Sequence, residues 1–169
     1  SSALDDRPGI PAMEVYADTS FLVKLATHEA GSEQAMAEFR RLDFPRVVFL
    51  PFHPLEVPTA IRQRGVHQRQ AAAGTACSAI RRQCEAALGR LERWLERGWL
   101  VDAVADADAA FARARTLSES HSERLGCRAF DLLHVAFALQ LEAEAFLTAV
   151  RIQGEAARAQ GLKVTVTPS

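Results

Sequence analysis

Three carboxylates in this 169-residue chain occupy settings that are otherwise apolar. Asp18 follows the run Val15-Tyr16-Ala17, Glu56 sits inside Leu55-Glu56-Val57, and Asp131 stands at the front of Phe130-Asp131-Leu132-Leu133-His134-Val135-Ala136. Acidic side chains are seldom buried unless they are paired or bound to a cation. Three of them facing one crevice would repel one another, and a hard divalent ion is the natural remedy. Magnesium is typically held by one or two carboxylates together with waters and phosphate oxygens. The plainer alternative is that Asp18 and Asp131 favour helix N-terminal dipoles and that Glu56 lies on the surface. Spacing alone leaves both readings open.

The elements around these acids set where they point. Glu14 to Ala17 reads as a short buried strand running into Asp18, with Thr19 or Ser20 placed to cap the helix that follows and ends near His28. Ser32 to Leu42 reads as a second helix capped by Ser32, and Val47 to Leu50 as a strand covered on both faces. A helix starts around Pro54, with Glu56 in or just ahead of its first turn; Pro58 is tolerable only if that helix begins late. Gln70 to Trp99 reads as one long amphipathic helix ended by Gly98. A strand at Leu100-Val101, a helix from Ala105 to Leu117 and a polar loop from Ser118 to Arg124 follow. Phe130 to Leu141 is apolar nearly all round and reads as a central buried helix. Ala145 to Thr148 is then a strand, Gln153 to Gln160 a helix, and Leu162 to Val166 a last strand. Strands alternating with helices argue for a parallel sheet covered on both sides. An acid at the carboxyl end of such a strand lies where ligands collect in open α/β sheets.

Composition bounds the partners. Twenty basic residues against 21 acidic ones give a net charge of −1, so no global field draws the chain to nucleic acid or to a membrane. Cys77, Cys84 and Cys127 are odd in number and lack CxxC spacing, which fits a reducing, cytoplasmic setting and argues against a disulfide framework or a zinc knuckle. No apolar run approaches a membrane span. Residues 1–12, with Gly9 and two prolines, read as a disordered tail or upstream extension, with Met13 as the original start and 13–169 as one domain.

Other chemistries lack their signatures. The chain has no GxSxG elbow, Walker A loop or GxGxxG fingerprint. An aspartyl-nucleophile phosphatase would need a second Asp where Ser20 stands. Arg62, Arg64, His67 and Arg69, with Arg81 and Arg82, could track an RNA backbone; Glu85, Glu92 and Glu96 dilute them, and a solvated helix face explains them as well. His134 reads as a core histidine rather than a ligand, and Trp94 and Trp99 as core or dimer-contact residues.

The segments Val15 to Leu22, Leu55 to Ile61, Arg128 to Ala136 and Phe146 to Thr148, in this order, resemble the motif blocks of the PIN domain, in particular the VapC-type toxin ribonucleases. Gln153 to Val164 is similar to the family's last helix and strand. The resemblance implies a three-layer α/β/α fold with a central parallel sheet of about five strands. It further implies a pocket that binds Mg2+ or Mn2+ and hydrolyses RNA. By that resemblance Asp18, Glu56 and Asp131 are the metal-binding and catalytic acids, and Ser20 and Thr148 support them. The implied partners are a cognate antitoxin and a second copy of the chain in a homodimer. One position departs from the pattern: where the family commonly has a fourth acid, this chain has Val150, which binds no cation. Glu155, about a turn and a half further on, could reach in, but it reads as facing solvent. The alternative is therefore a PIN-fold binding or regulatory module with impaired catalysis.

Overall fold

The computed structural model describes residues 13–72, 74 and 76–167; the expected tail at 1–12 lies outside them. Five strands, β1 (Glu14–Ala17), β2 (Arg46–Phe49), β3 (Leu100–Asp102), β4 (Ala145–Thr148) and β5 (Val164–Val166), form one sheet in the order β3-β2-β1-β4-β5. Every pairing is parallel. β1 is central, and Val15 lies beside both Val47 and Ala145.

The alternation of side chains along each strand divides the core in two. Val15, Ala17, Val47, Phe49 and Leu147 point to one face, where they meet α1 (Thr19–Ala26), α2 (Ser32–Arg41), α3 (His53–Ala71) and α4 (Ala76–Glu96). Tyr16, Val48, Leu50 and Phe146 point to the other, against α5 (Ala107–Leu125), α6 (Ala129–Gln140) and α7 (Arg151–Ala159). Apolar helices on both faces explain why the strands read as continuous apolar runs rather than alternating ones. The chain first steps from β1 outward to β2 and β3 with its helices on one face. It then returns to β4 and β5 with its helices on the other, as a constant hand of crossover requires. The reversal falls between β1 and β4, and a crevice opens outside the carboxyl ends of strands at such a point.

Several boundaries differ from the sequence expectation. The Gln70–Trp99 helix is two elements: α3 runs on to Ala71, and α4 begins at Ala76 after Gly74, which takes a left-handed φ of 60°. An Ala-rich stretch reads as helix on either side of that break, so composition hides it. α3 begins at His53 and not late, and it contains Pro58. α5 continues through the expected loop at 118–124 because Leu117 and His121 recur at a four-residue step toward the core, and Gly126 ends it with a left-handed φ of 73°. Hydroxyls along that stretch bond back into the helix, Ser120 to the Thr116 carbonyl at 3.2 Å. Ser32 is the first residue of α2 and not its cap; its hydroxyl donates to the Thr27 carbonyl at 3.0 Å and accepts from the Glu29 N–H. Trp94 packs partly buried against the first core and Trp99 rests near Phe44, so both belong to packing.

Gly154 fixes how closely α7 lies on the sheet. A Cβ there would come within 2.5 Å of Val166 Cγ2 and 3.3 Å of Val164 Cγ1, on β-branched side chains with little room to turn. Gly154→Ala should therefore destabilise the protein by about 1–2 kcal/mol in urea denaturation, because overpacking outweighs the gain in helix propensity. An unchanged or raised midpoint would show that α7 can ride up on the sheet.

Candidate active site

Four helices begin around the crevice between β1 and β4. The first residues of α1 and α6, the first turn of α3 and the cap residue of α7 all contribute side chains to one open cleft of about 430 Å3. Asp18, Glu56 and Asp131 line it together, so the structure brings the three expected acids to one place. The N-terminal ends of helices carry partial positive charge, which offsets clustered carboxylates and suits a phosphate group.

Asp18 is 3 % exposed. It is itself the cap of α1, a role expected of Thr19 or Ser20: its Oδ1 accepts from the Phe21 N–H at 2.9 Å. The Ser20 hydroxyl donates to the same carboxylate at 2.7 Å, and Thr148 Oγ1 lies 3.0 Å from Oδ2. Ser20 also accepts from the Ala149 N–H at 2.9 Å, which ties the start of α1 to the end of β4. Both hydroxyls named by the resemblance thus lie against the Asp18 carboxylate. Burial raises the Asp18 carboxyl above its ordinary range, against the opposing effects of His134, the Phe21 N–H and the two hydroxyls. As pH rises through that raised value, ionised Asp18 lowers the stability of the fold, and a cation in the cleft would relieve the cost.

Glu56 is held differently. Thr19 Oγ1 donates to its Oε2 at 2.5 Å, and His134 Nε2 lies 3.1 Å from the same oxygen. The far nitrogen of His134 lies 2.9 Å from the Tyr16 hydroxyl. Burial and the negative charges of Asp18 and Glu56 push the Tyr16 phenol well above its usual value, so it keeps its proton. His134 thus bridges the Tyr16 hydroxyl at Nδ1 and the Glu56 carboxylate at Nε2, where the carboxylate oxygen accepts. Burial raises the Glu56 carboxyl, but the His134 bond and the Thr19 hydroxyl lower it further, so it is held ionised. His134 is a core histidine in burial and an orienting group in contact. Its periodicity within an apolar helix gave no sign of the second role.

Asp131 accepts from the Arg128 N–H at 3.0 Å through Oδ2, an N-terminal bond on α6, while lining the cleft. Asp18 and Asp131 are therefore helix-terminal acids that also line the cleft. Behind them Gln153, fully buried, reaches from Thr148 Oγ1 at 2.7 Å to the Asp131 carbonyl at 3.1 Å. Val150 lines the cleft as the cap residue of α7, and Glu155 is paired with Arg151 outside it. Of the basic residues, Arg64 is paired with Glu29, and neither Arg62 nor Arg69 lines the cleft. A cation absent from the expectation does: Lys24, largely buried, donates to the Ala30 carbonyl at 2.6 Å, and burial followed by the charge of Arg64 lowers its pKa.

As placed, no three of the described His, Cys, Asp and Glu side chains close into an ion cage. An open, oxygen-lined cleft still fits magnesium or manganese, which keep several waters and need one or two carboxylates. It does not fit the closed nitrogen and sulfur sites of structural zinc.

No protein-family model and no curated protein matches this chain. Among solved structures, it is similar to a chain of VapBC2 from Rickettsia felis, crystallised bound to a DNA fragment from their promoter. The TM-score is 0.56 at 15 % identity, covering 92 % of this chain and 99 % of that one. At that identity the likeness speaks for the fold, which is the PIN-like three-layer architecture expected from the sequence. Among the described residues no helix is long and apolar enough to cross a membrane.

Beneath the cleft, His53 is fully buried among Tyr16, Phe49 and Phe52, accepts from the Leu50 N–H at 2.8 Å, and leaves Nε2 without a partner. Burial first, then the neighbouring His134, depresses it to about 3. A depressed folded value means stability is full above the unfolded value near 6.5 and falls as the pH drops below it. His53→Asn keeps an acceptor for the Leu50 N–H and removes the titration. Between pH 7 and pH 5 the wild type should lose about 2 kcal/mol more than the variant in urea denaturation. Equal losses would show that His53 is solvated.

Proposed function

We propose that this protein is a metal-dependent endoribonuclease of the PIN kind, acting as the toxin of a toxin–antitoxin pair and inhibited by a cognate protein that covers the cleft. The observation that carries the reading is the meeting of Asp18, Glu56 and Asp131 at the point where the sheet reverses, in a fold similar to that of the Rickettsia felis VapBC2 chain. RNA as substrate, the antitoxin and a homodimer come from the PIN resemblance of the motif blocks. Asp18, Glu56 and Asp131 would hold Mg2+ or Mn2+. When bound, such an ion lowers the pKa of a water and neutralises charge on the scissile phosphate.

The chain's own groups do the rest. Ser20, Thr148 and the Phe21 N–H fix the Asp18 carboxylate, so it presents one orientation to the cleft. Thr19 and His134 fix Glu56 and keep it ionised, which suits it to orient a water rather than to donate a proton. The converging helix N-termini and Lys24 favour entry of a phosphodiester despite the acids. A second reading, a binding or regulatory module with impaired catalysis, is favoured by Val150 in the cleft and by the lack of a closed three-acid cage among the described residues.

Purified protein freed of any co-purifying partner should cleave a mixed RNA substrate with Mg2+ or Mn2+ and not with EDTA, and Asp18→Asn should lower the rate at least about 100-fold. Cleavage that survives both would remove the assignment. Val150→Asp separates the two readings: a rate within a few-fold of wild type means three acids suffice, whereas activity that appears only in the variant makes the native chain the binding module.

A further inference from the structure

α6 buries its apolar side chains almost completely, with Leu132, Leu133, Val135, Ala136 and Phe137 at 7 % exposure or less. Phe130 breaks the pattern. It is 59 % exposed and lines the acidic cleft beside Asp131. A large apolar ring left in water next to carboxylates contributes little to the core. The cleft residue at the start of the adjacent α7 is Val150, again apolar, and buried Ala149 precedes it. The cleft is thus lined by the acids Asp18, Glu29, Glu56 and Asp131 and also by an apolar shelf, to which the start of α6 contributes the exposed Phe130 and the cap of α7 contributes Val150. The position that departs from the family's acids is part of that shelf.

Resting on the nuclease reading above, we propose that the Phe130–Val150 shelf receives one unpaired nucleobase, stacked on the Phe130 ring, while its phosphate lies over the acids. A base inside a duplex has both faces occupied by its neighbours, so only an unpaired or extruded one offers a free π face to the ring. The shelf carries no side-chain donor or acceptor to read a base edge, so the selection is for unpaired strand over duplex, with little preference among bases.

The test is binding of a short fluorescent RNA measured by anisotropy, with Ca2+ supplied as a hard oxygen-binding ion. Wild type, Phe130→Ala and Phe130→Trp are each titrated with a single strand, the same strand carrying a central run of abasic sites, and a duplex. The wild type should bind the single strand most tightly. Phe130→Ala should weaken that binding about 10-fold, Phe130→Trp should keep it, and the alanine effect should vanish on the abasic strand. If the wild type binds no RNA, the nuclease reading falls and this inference with it. If the wild type binds but Phe130→Ala binds equally well, or loses as much on the abasic strand, the ring does not stack a base; this inference fails and the nuclease reading stands. Exposure of Phe130 makes misfolding of the alanine variant a small concern, and the tryptophan variant tests stacking independently.

Discussion

Keeping Asp18 out of water at the end of the central strand is the constraint on which the rest of the site depends. A carboxylate that is 3 % exposed must have every oxygen satisfied or else lose its charge. The chain answers with one backbone N–H, the Ser20 hydroxyl and the Thr148 hydroxyl, whose one proton is shared between Asp18 and Gln153, and the two hydroxyls come from both sides of the sheet reversal. Ser20 belongs to the helix leaving β1, Thr148 to the end of β4. Satisfying Asp18 therefore also fixes β1 against β4, and Gln153 carries the same polar chain on to the backbone of α6. What holds the carboxylate holds the walls of the cleft.

Glu56 is secured by a second set of contacts that shares no side chain with the first. The line from Tyr16 through His134 to Glu56 joins the central strand, a helix on one face of the sheet and a helix on the other. Tyr16 is the inner residue here, stacked on Phe146 with ring centroids 5.6 Å apart, so its hydroxyl has little freedom to leave His134. A carboxylate is held more rigidly by packed elements than by loops. The two acids thus have different characters, Asp18 raised by burial and Glu56 lowered by its partners.

Much of this was legible in the sequence, for physical reasons particular to each residue. Asp18, Glu56 and Asp131 stood out because an acid amid apolar residues needs an explanation, and the strands stood out because burial on both faces leaves continuous apolar runs. His134 did not, since a histidine in an apolar helix has the same spacing whether it fills space or orients a carboxylate. Lys24 was hidden the same way, inside a stripe otherwise made of Phe21, Leu22 and Leu25. The break at Gly74 was masked by alanines that favour helix on either side, and the last turns of α5 by serines whose hydroxyls bond back to the helix. Phe130 read as core because its neighbours are core; only its exposure separates it from them.

The pairing of β1 with β4 has a consequence for when the cleft can exist. Asp18 and Thr148 are 130 residues apart in the chain. Bringing them together requires closing nearly the whole domain, and contacts of such long range form late. Synthesis proceeds from the N-terminus, so the half built from β1, β2 and β3 leaves the ribosome with Asp18 and Glu56 but with no far wall and no Asp131. A chain that ends before α6 lacks one wall of the cleft by topology alone. The cleft can form only after the protein is complete to β4 and α7.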